Sequence, residues 1–88
     1  MILTEHARQQ AERRAVSLED IEYVLDHGSM THQRSGRCCF FCGKSTKHST
    51  AKNLAVICAE DGAVVTVIRT SSLKKLRSQV NFGDAFHV

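Results

Sequence analysis

An α+β fold, two N-terminal helices followed by a three- to four-stranded antiparallel sheet, is predicted by three features of this 88-residue chain. The first is the run Asn53 to Thr70, NLAVICAEDGAVVTVIRT, in which Asp61-Gly62 separates two β-branched stretches. Asp-Gly between such runs is a strong short-range hairpin signal. The second is a capped amphipathic helix running from Ser17 to Gly28. The third is a shorter helical stretch that opens at Thr4.

Thr4 can cap a first helix reaching about Arg14, with Ala7 and Ala11 four apart on one side and small enough for close approach to a sheet. Ser17 then caps a second helix, with Asp20 three residues on as in a capping box and Glu19 near the positive dipole end. Leu18, Ile21, Val24 and Leu25 are expected to form its buried stripe, and Gly28 stands at the expected C′ position. His27, in the last turn, suits the negative dipole end. The run SMTHQRSGR lacks periodicity and reads as loop or edge strand. RCCFFC, Arg37 to Cys42, is dense in strand formers, and KSTKHSTAK after it reads as a polar, basic, mobile connection. Leu54, Val56, Ile57 and Cys58 fill one hairpin strand, and Val64, Val65, Val67 and Ile68 the other. Both faces of each are apolar, so the pair is expected centrally in the sheet. SSLKKLRSQ reads as a short basic helix or extended arm. The order is ααβββ with room for a fourth strand, in a single domain spanning 1–88.

The composition, 42% hydrophobic and 24% charged, is that of a soluble globular chain. No apolar run approaches the ~20 residues that span a bilayer, so no membrane partner is expected. The start, MILTEHARQQ, lacks the features of a signal peptide, which makes the cytoplasm the expected location. Net charge is +3, unevenly spread. Six acids fall in the first 26 residues against three arginines, whereas His27 to Ala59 holds no acid and carries Arg34, Arg37, Lys44, Lys47 and Lys52. Arg69, Lys74, Lys75 and Arg77 lie between Asp61 and the next acid, Asp84. Such asymmetry suits a polyanion, most simply RNA, with Arg37, Lys44, Lys47, Lys74, Lys75 and Arg77 as backbone contacts. A merely solvated basic face is the plain alternative.

His6-Ala7, Arg14-Ala15-Val16-Ser17, Ile21, Val24-Leu25 and Gly28 resemble the opening of a small bacterial domain of the pattern His-Ala-x-x-Arg-x-x-x-Arg-Gly-Ile-Ser. Asp61-Gly62 through Arg69 resembles its closing hairpin, so the likeness covers roughly residues 3 to 70. Gln10 stands where that family tends to have its first arginine, and Ala15 where it has glycine. The family is uncharacterised and is usually grouped with the RelE/ParE-like toxins of toxin–antitoxin pairs. The resemblance implies that fold, a metal-independent ribonuclease needing no cofactor, and an antitoxin protein as partner. A sheet edge would offer such a partner a docking line.

A ribonuclease of that kind needs a base for the 2′-hydroxyl, an acid for the leaving 5′-oxygen and cations for the phosphate. Histidine suits the first two roles and arginine the third. His6, Gln10 and Arg14 recur every four residues along one helical face. His6 is therefore the expected acid or base, with Arg14 and Arg69 on the phosphate. Each has a structural alternative, namely a backbone bond for His6, a carboxylate such as Glu19 for Arg14, and a solvent-facing strand end for Arg69. The same surface would equally serve a module that binds nucleic acid or protein without cutting.

The cysteines support a third reading. Cys39-x-x-Cys42 with His48 and Cys58 supplies four candidate zinc ligands, and Gly43 resembles a zinc knuckle. Strand alternation opposes it, because Cys38, Phe40 and Cys42 would share one face and Cys39 and Phe41 the other. Buried structural thiols are the simpler expectation.

Overall fold

The computed structural model describes residues 1–33 and 35–70. Helix α1 spans Glu5–Arg13 and α2 spans Leu18–His27, and four strands follow: β1 Ser29–His32, β2 Cys38–Cys42, β3 Leu54–Cys58 and β4 Val64–Arg69. A single 3-10 turn, Ser49–Ala51, interrupts the β2–β3 connection. The sheet is a sequential antiparallel meander in the order β1-β2-β3-β4. The predicted α+β layout is therefore observed, and β1 is an edge strand.

Local chemistry explains each boundary. The Thr4 hydroxyl accepts from Ala7 N at 3.1 Å and starts α1. At the other end Val16 N donates to Ala11 O and Ala15 N to Glu12 O, a Schellman pair of bonds. That motif needs a left-handed residue at its hinge, and here Ala15 takes φ +53°. Glycine would adopt this conformation without steric cost. The α2 capping box is complete, with Asp20 N on Ser17 Oγ at 3.1 Å and Ser17 N on Asp20 Oδ2 at 3.0 Å. Gly28 ends α2 as expected, but in an extended conformation with φ −73°. Its lack of a side chain serves close approach: a Cβ there would lie 2.6 Å from Val24 O and 3.1 Å from the Phe41 backbone.

The two outer hairpins share one loop geometry. Ala59 N bonds Ala63 O and Gly62 N bonds Ala59 O, while Gln33 N bonds Arg37 O and Gly36 N bonds Gln33 O. Each is a three-residue loop closed by a left-handed glycine, Gly62 at φ +90° and Gly36 at +88°. At β3 every residue is buried, as its two-sided apolar pattern requires. One face of the sheet contributes Cys42, Leu54, Val56, Cys58 and Val67 to a core completed by Ala7, Ala11, Val16, Ile21 and Val24 of the helical layer. Cys39, Ala55, Ile57 and Ile68 form a second cluster on the opposite face. The N-terminal strand-like segment joins β4, with Thr4 N on Val64 O and Val64 N on Ile2 O. No helix among the described residues is long and apolar enough to cross a membrane.

Candidate functional site

Three elements meet at the open end of α2. Asp20, Tyr23 and His27 fall at i, i+3 and i+7, so they line one stripe of the helix. The segment 43–53, which reads from sequence as a mobile connection, is instead fastened to that stripe. The Thr50 hydroxyl donates to Asp20 Oδ1, and His48 Nε2 lies 3.3 Å from the same oxygen. From the sheet, Arg69 Nη1 donates to Thr50 O and Lys52 O, both at 3.0 Å.

Asp20 anchors the arrangement. Its side chain is 4% exposed, and that of His48 is 39% exposed. Burial pushes the carboxyl pKa up, but the bonds from Thr50, from Ser17 and from His48 outweigh it and hold the group below its ordinary value. It is ionised at neutral pH and only accepts hydrogen bonds, so the His48 contact requires a proton on Nε2. In neutral His48 the lone pair then sits on Nδ1, a tautomer set by the carboxylate.

Tyr23 is the backing of the site. It packs against the main core on one side. Its ring meets His48 at 4.8 Å between centroids, nearly parallel at 20°, and His27 at 4.5 Å, tilted by 37°. His27 therefore has an aromatic partner as well as its place at the dipole end. Lys44, Lys47 and Lys52 are exposed along the same connection.

The residues expected from sequence are placed differently. His6 is exposed on α1 and makes no side-chain hydrogen bond with any described residue. Arg14, the C-cap of α1, donates from Nε to Gln10 Oε1 at 3.2 Å, not to Glu19. Arg69 joins the α2 cluster, where its guanidinium holds carbonyls of the 43–53 connection. No hydrogen bond or ion pair links any two of His6, Arg14 and Arg69. Arg37 is exposed beside the β1–β2 loop, while Lys74, Lys75 and Arg77 lie outside the described residues.

The chain matches the model of a domain of unknown function, DUF4258, over residues 3–69. It belongs to the DUF4258 family. No curated protein and no solved structure matches it. The DUF4258 match spans α1 through the end of β4, and so includes every residue of the α2 cluster.

The four suggested zinc ligands do not converge. Cys39 faces the second cluster, while Cys42 and Cys58 face the first. Burial, with Cys58 and Cys38 nearby, pushes the Cys39 thiol up to about 12, far from the thiolate that a metal requires. Among the described residues no three His, Cys, Asp or Glu side chains gather as ligands. All four cysteines are free thiols, with Cys38 Sγ 3.4 Å from His32 Nδ1 across the β1–β2 pair.

Sequence reasoning picked out Asp20 as a cap and His48 as a zinc ligand, and missed their pairing. No local signal joined them, because the cap and the histidine stand 28 positions apart with β1 and β2 between them.

Proposed function

We propose that this DUF4258 chain is a RelE/ParE-like protein of the toxin class that cleaves RNA without a metal, with His48 rather than His6 as its proton-transfer group. One observation carries the reading. A half-exposed imidazole is oriented by a buried carboxylate within a connection that carries lysines and no acid. His48 Nδ1 takes the proton of a ribose 2′-hydroxyl, and the 2′-oxygen forms a bond to phosphorus. The bond from phosphorus to the 5′-oxygen breaks, and that oxygen leaves with a proton from solvent, to which His48 returns the one it took. The products are a 2′,3′-cyclic phosphate and a 5′-hydroxyl. Asp20 supports the imidazolium formed on the way, and Lys47 and Lys52 supply positive charge for the phosphate. Arg69 acts as a positioning residue by holding the connection.

The second reading is a binding module on the same surface, for nucleic acid or a partner protein. It is favoured by the use of both Asp20 and Arg69 as structural ties. The test is incubation of the purified chain with single-stranded RNA in EDTA, beside the same sequence made with 2′-deoxyribose. Cleavage of the RNA alone, leaving cyclic phosphate ends, is expected. Binding without cleavage of either would replace the ribonuclease with the module. As a toxin, the chain would also arrest growth when induced alone, and a co-expressed antitoxin would relieve the arrest.

A further inference from the structure

The rings of His27, Tyr23 and His48 form a short aromatic column on the surface, and its chemistry goes beyond proton transfer. Asp20, Tyr23 and His27 rise along one stripe of α2, and His48 is bonded to Asp20 at the lower end. His48 therefore meets Tyr23 from the Asp20 side, while His27 meets it from the next turn. The middle ring is seated on the core and His48 is held by Asp20, so the column is built before any ligand arrives. His48 and His27 both remain open to solvent.

Charge near the column is divided between elements, acids on α2 and lysines on the connection. The exposed acids Glu19, Glu22 and Asp26 each precede a column-stripe residue by one position, about 100° around the helix. Lys47, which adjoins His48 in sequence, and Lys52 are exposed in the acid-free connection that carries His48. A polyanion is thus repelled by the α2 acids and attracted by the connection's lysines.

We propose that this column is a stacking platform for an unpaired base of single-stranded RNA, with the backbone phosphates running along Lys47 and Lys52. This rests on the RNA reading above and names the form of substrate that reaches the site. Every base has a flat π face, so such a platform tolerates many sequences. Bases within a duplex are stacked on one another and cannot present a face to it. A base seated on His48 would carry its own ribose to the imidazole.

Tyr23 is the chain's one tyrosine and there is no tryptophan, so intrinsic emission reports on the column alone. The experiment titrates the full chain with a short 2′-deoxy single strand, which cannot be cleaved through a 2′-hydroxyl, and with the same sequence as a duplex. Saturable quenching by the single strand, absent with the duplex, is the expected result. Labelled-strand anisotropy then compares Tyr23→Leu with Tyr23→Phe. The leucine variant removes the ring that backs His48, so the base loses its platform and should bind about 10-fold more weakly, and phenylalanine should restore binding. Circular dichroism on both variants separates loss of the ring from loss of the fold.

Equal binding of single strand and duplex, or tight binding by a folded Tyr23→Leu chain, would overturn the platform. If that chain still cleaved RNA, the ribonuclease reading would survive alone. Quenching and single-strand preference without cleavage would uphold the platform and remove the ribonuclease.

Discussion

The outer face of α1 and the seam between α2 and the 43–53 connection are both polar and both carry histidine, yet they are built in opposite ways. On α1, Arg8 bonds Glu5 and Glu12, and Arg14 bonds Gln10, all within one turn of the same exposed helix. Such pairs are screened by water and shape nothing beyond the helix. In the seam, Thr50 reaches Asp20 across 30 positions of sequence, and Arg69 reaches back 19 and 17 positions to two carbonyls. Only the second arrangement fixes the direction of an imidazole. Preorganisation, not the number of charged residues, marks the site.

The largest expected effect falls on Asp20. Replacing it with alanine removes the reciprocal half of the capping box and leaves Thr50 and His48 without their acceptor. Together these should cost about 2–3 kcal/mol in urea unfolding, and RNA cleavage should be lost. The folded pKa of Asp20 lies below its unfolded value near 3.8, so its stabilising contribution is complete above that value. The contribution disappears as pH falls through the lower folded value. Asp20→Asn should therefore flatten the acid limb of the stability profile below about pH 4, and an unchanged limb would mean that the carboxylate is not held as described.

Loosening the seam from the sheet side should act next. Arg69→Met keeps the aliphatic stem and deletes two bonds to backbone carbonyls, for a loss of about 1–2 kcal/mol. Hydrogen exchange should rise around Thr50 and Lys52 and stay unchanged in α1.

Ala15→Gly works on the junction between the two regions. Relief of the left-handed alanine should add about 1 kcal/mol of stability and leave cleavage unaltered. A drop in the thermal midpoint would contradict the Schellman geometry. The smallest effect is expected for Arg8→Ala on α1, whose unfolding midpoint should be indistinguishable from that of the parent chain.

These contrasts explain what was legible in the residue order. The capping bonds of Thr4 and of Ser17 with Asp20, and the turn bonds at Asp61-Gly62, reach residues at most four away, so local reading places α1, α2 and the β3–β4 hairpin. The β1–β2 hairpin uses the same loop geometry around Gly36, but β1 is a four-residue edge strand with three exposed positions. It therefore carries no alternation to read. Gly28 is where a terminator should be, although its reason is close approach to Val24 O and the Phe41 backbone and not a positive φ. His48 was hidden most completely. Nothing within KSTKHSTAK indicates that a capping carboxylate 28 positions earlier has one oxygen left to bind it.

Initial rates of RNA cleavage in EDTA, measured side by side for the parent chain, His48→Ala and His6→Ala, decide between the α2 seam and α1. His48→Ala should fall at least 100-fold, in the range typical of losing a general base, while His6→Ala keeps the parent rate. Loss of cleavage in His6→Ala with His48→Ala unaffected would move the site to α1 and leave the Asp20–His48 pair a structural tie.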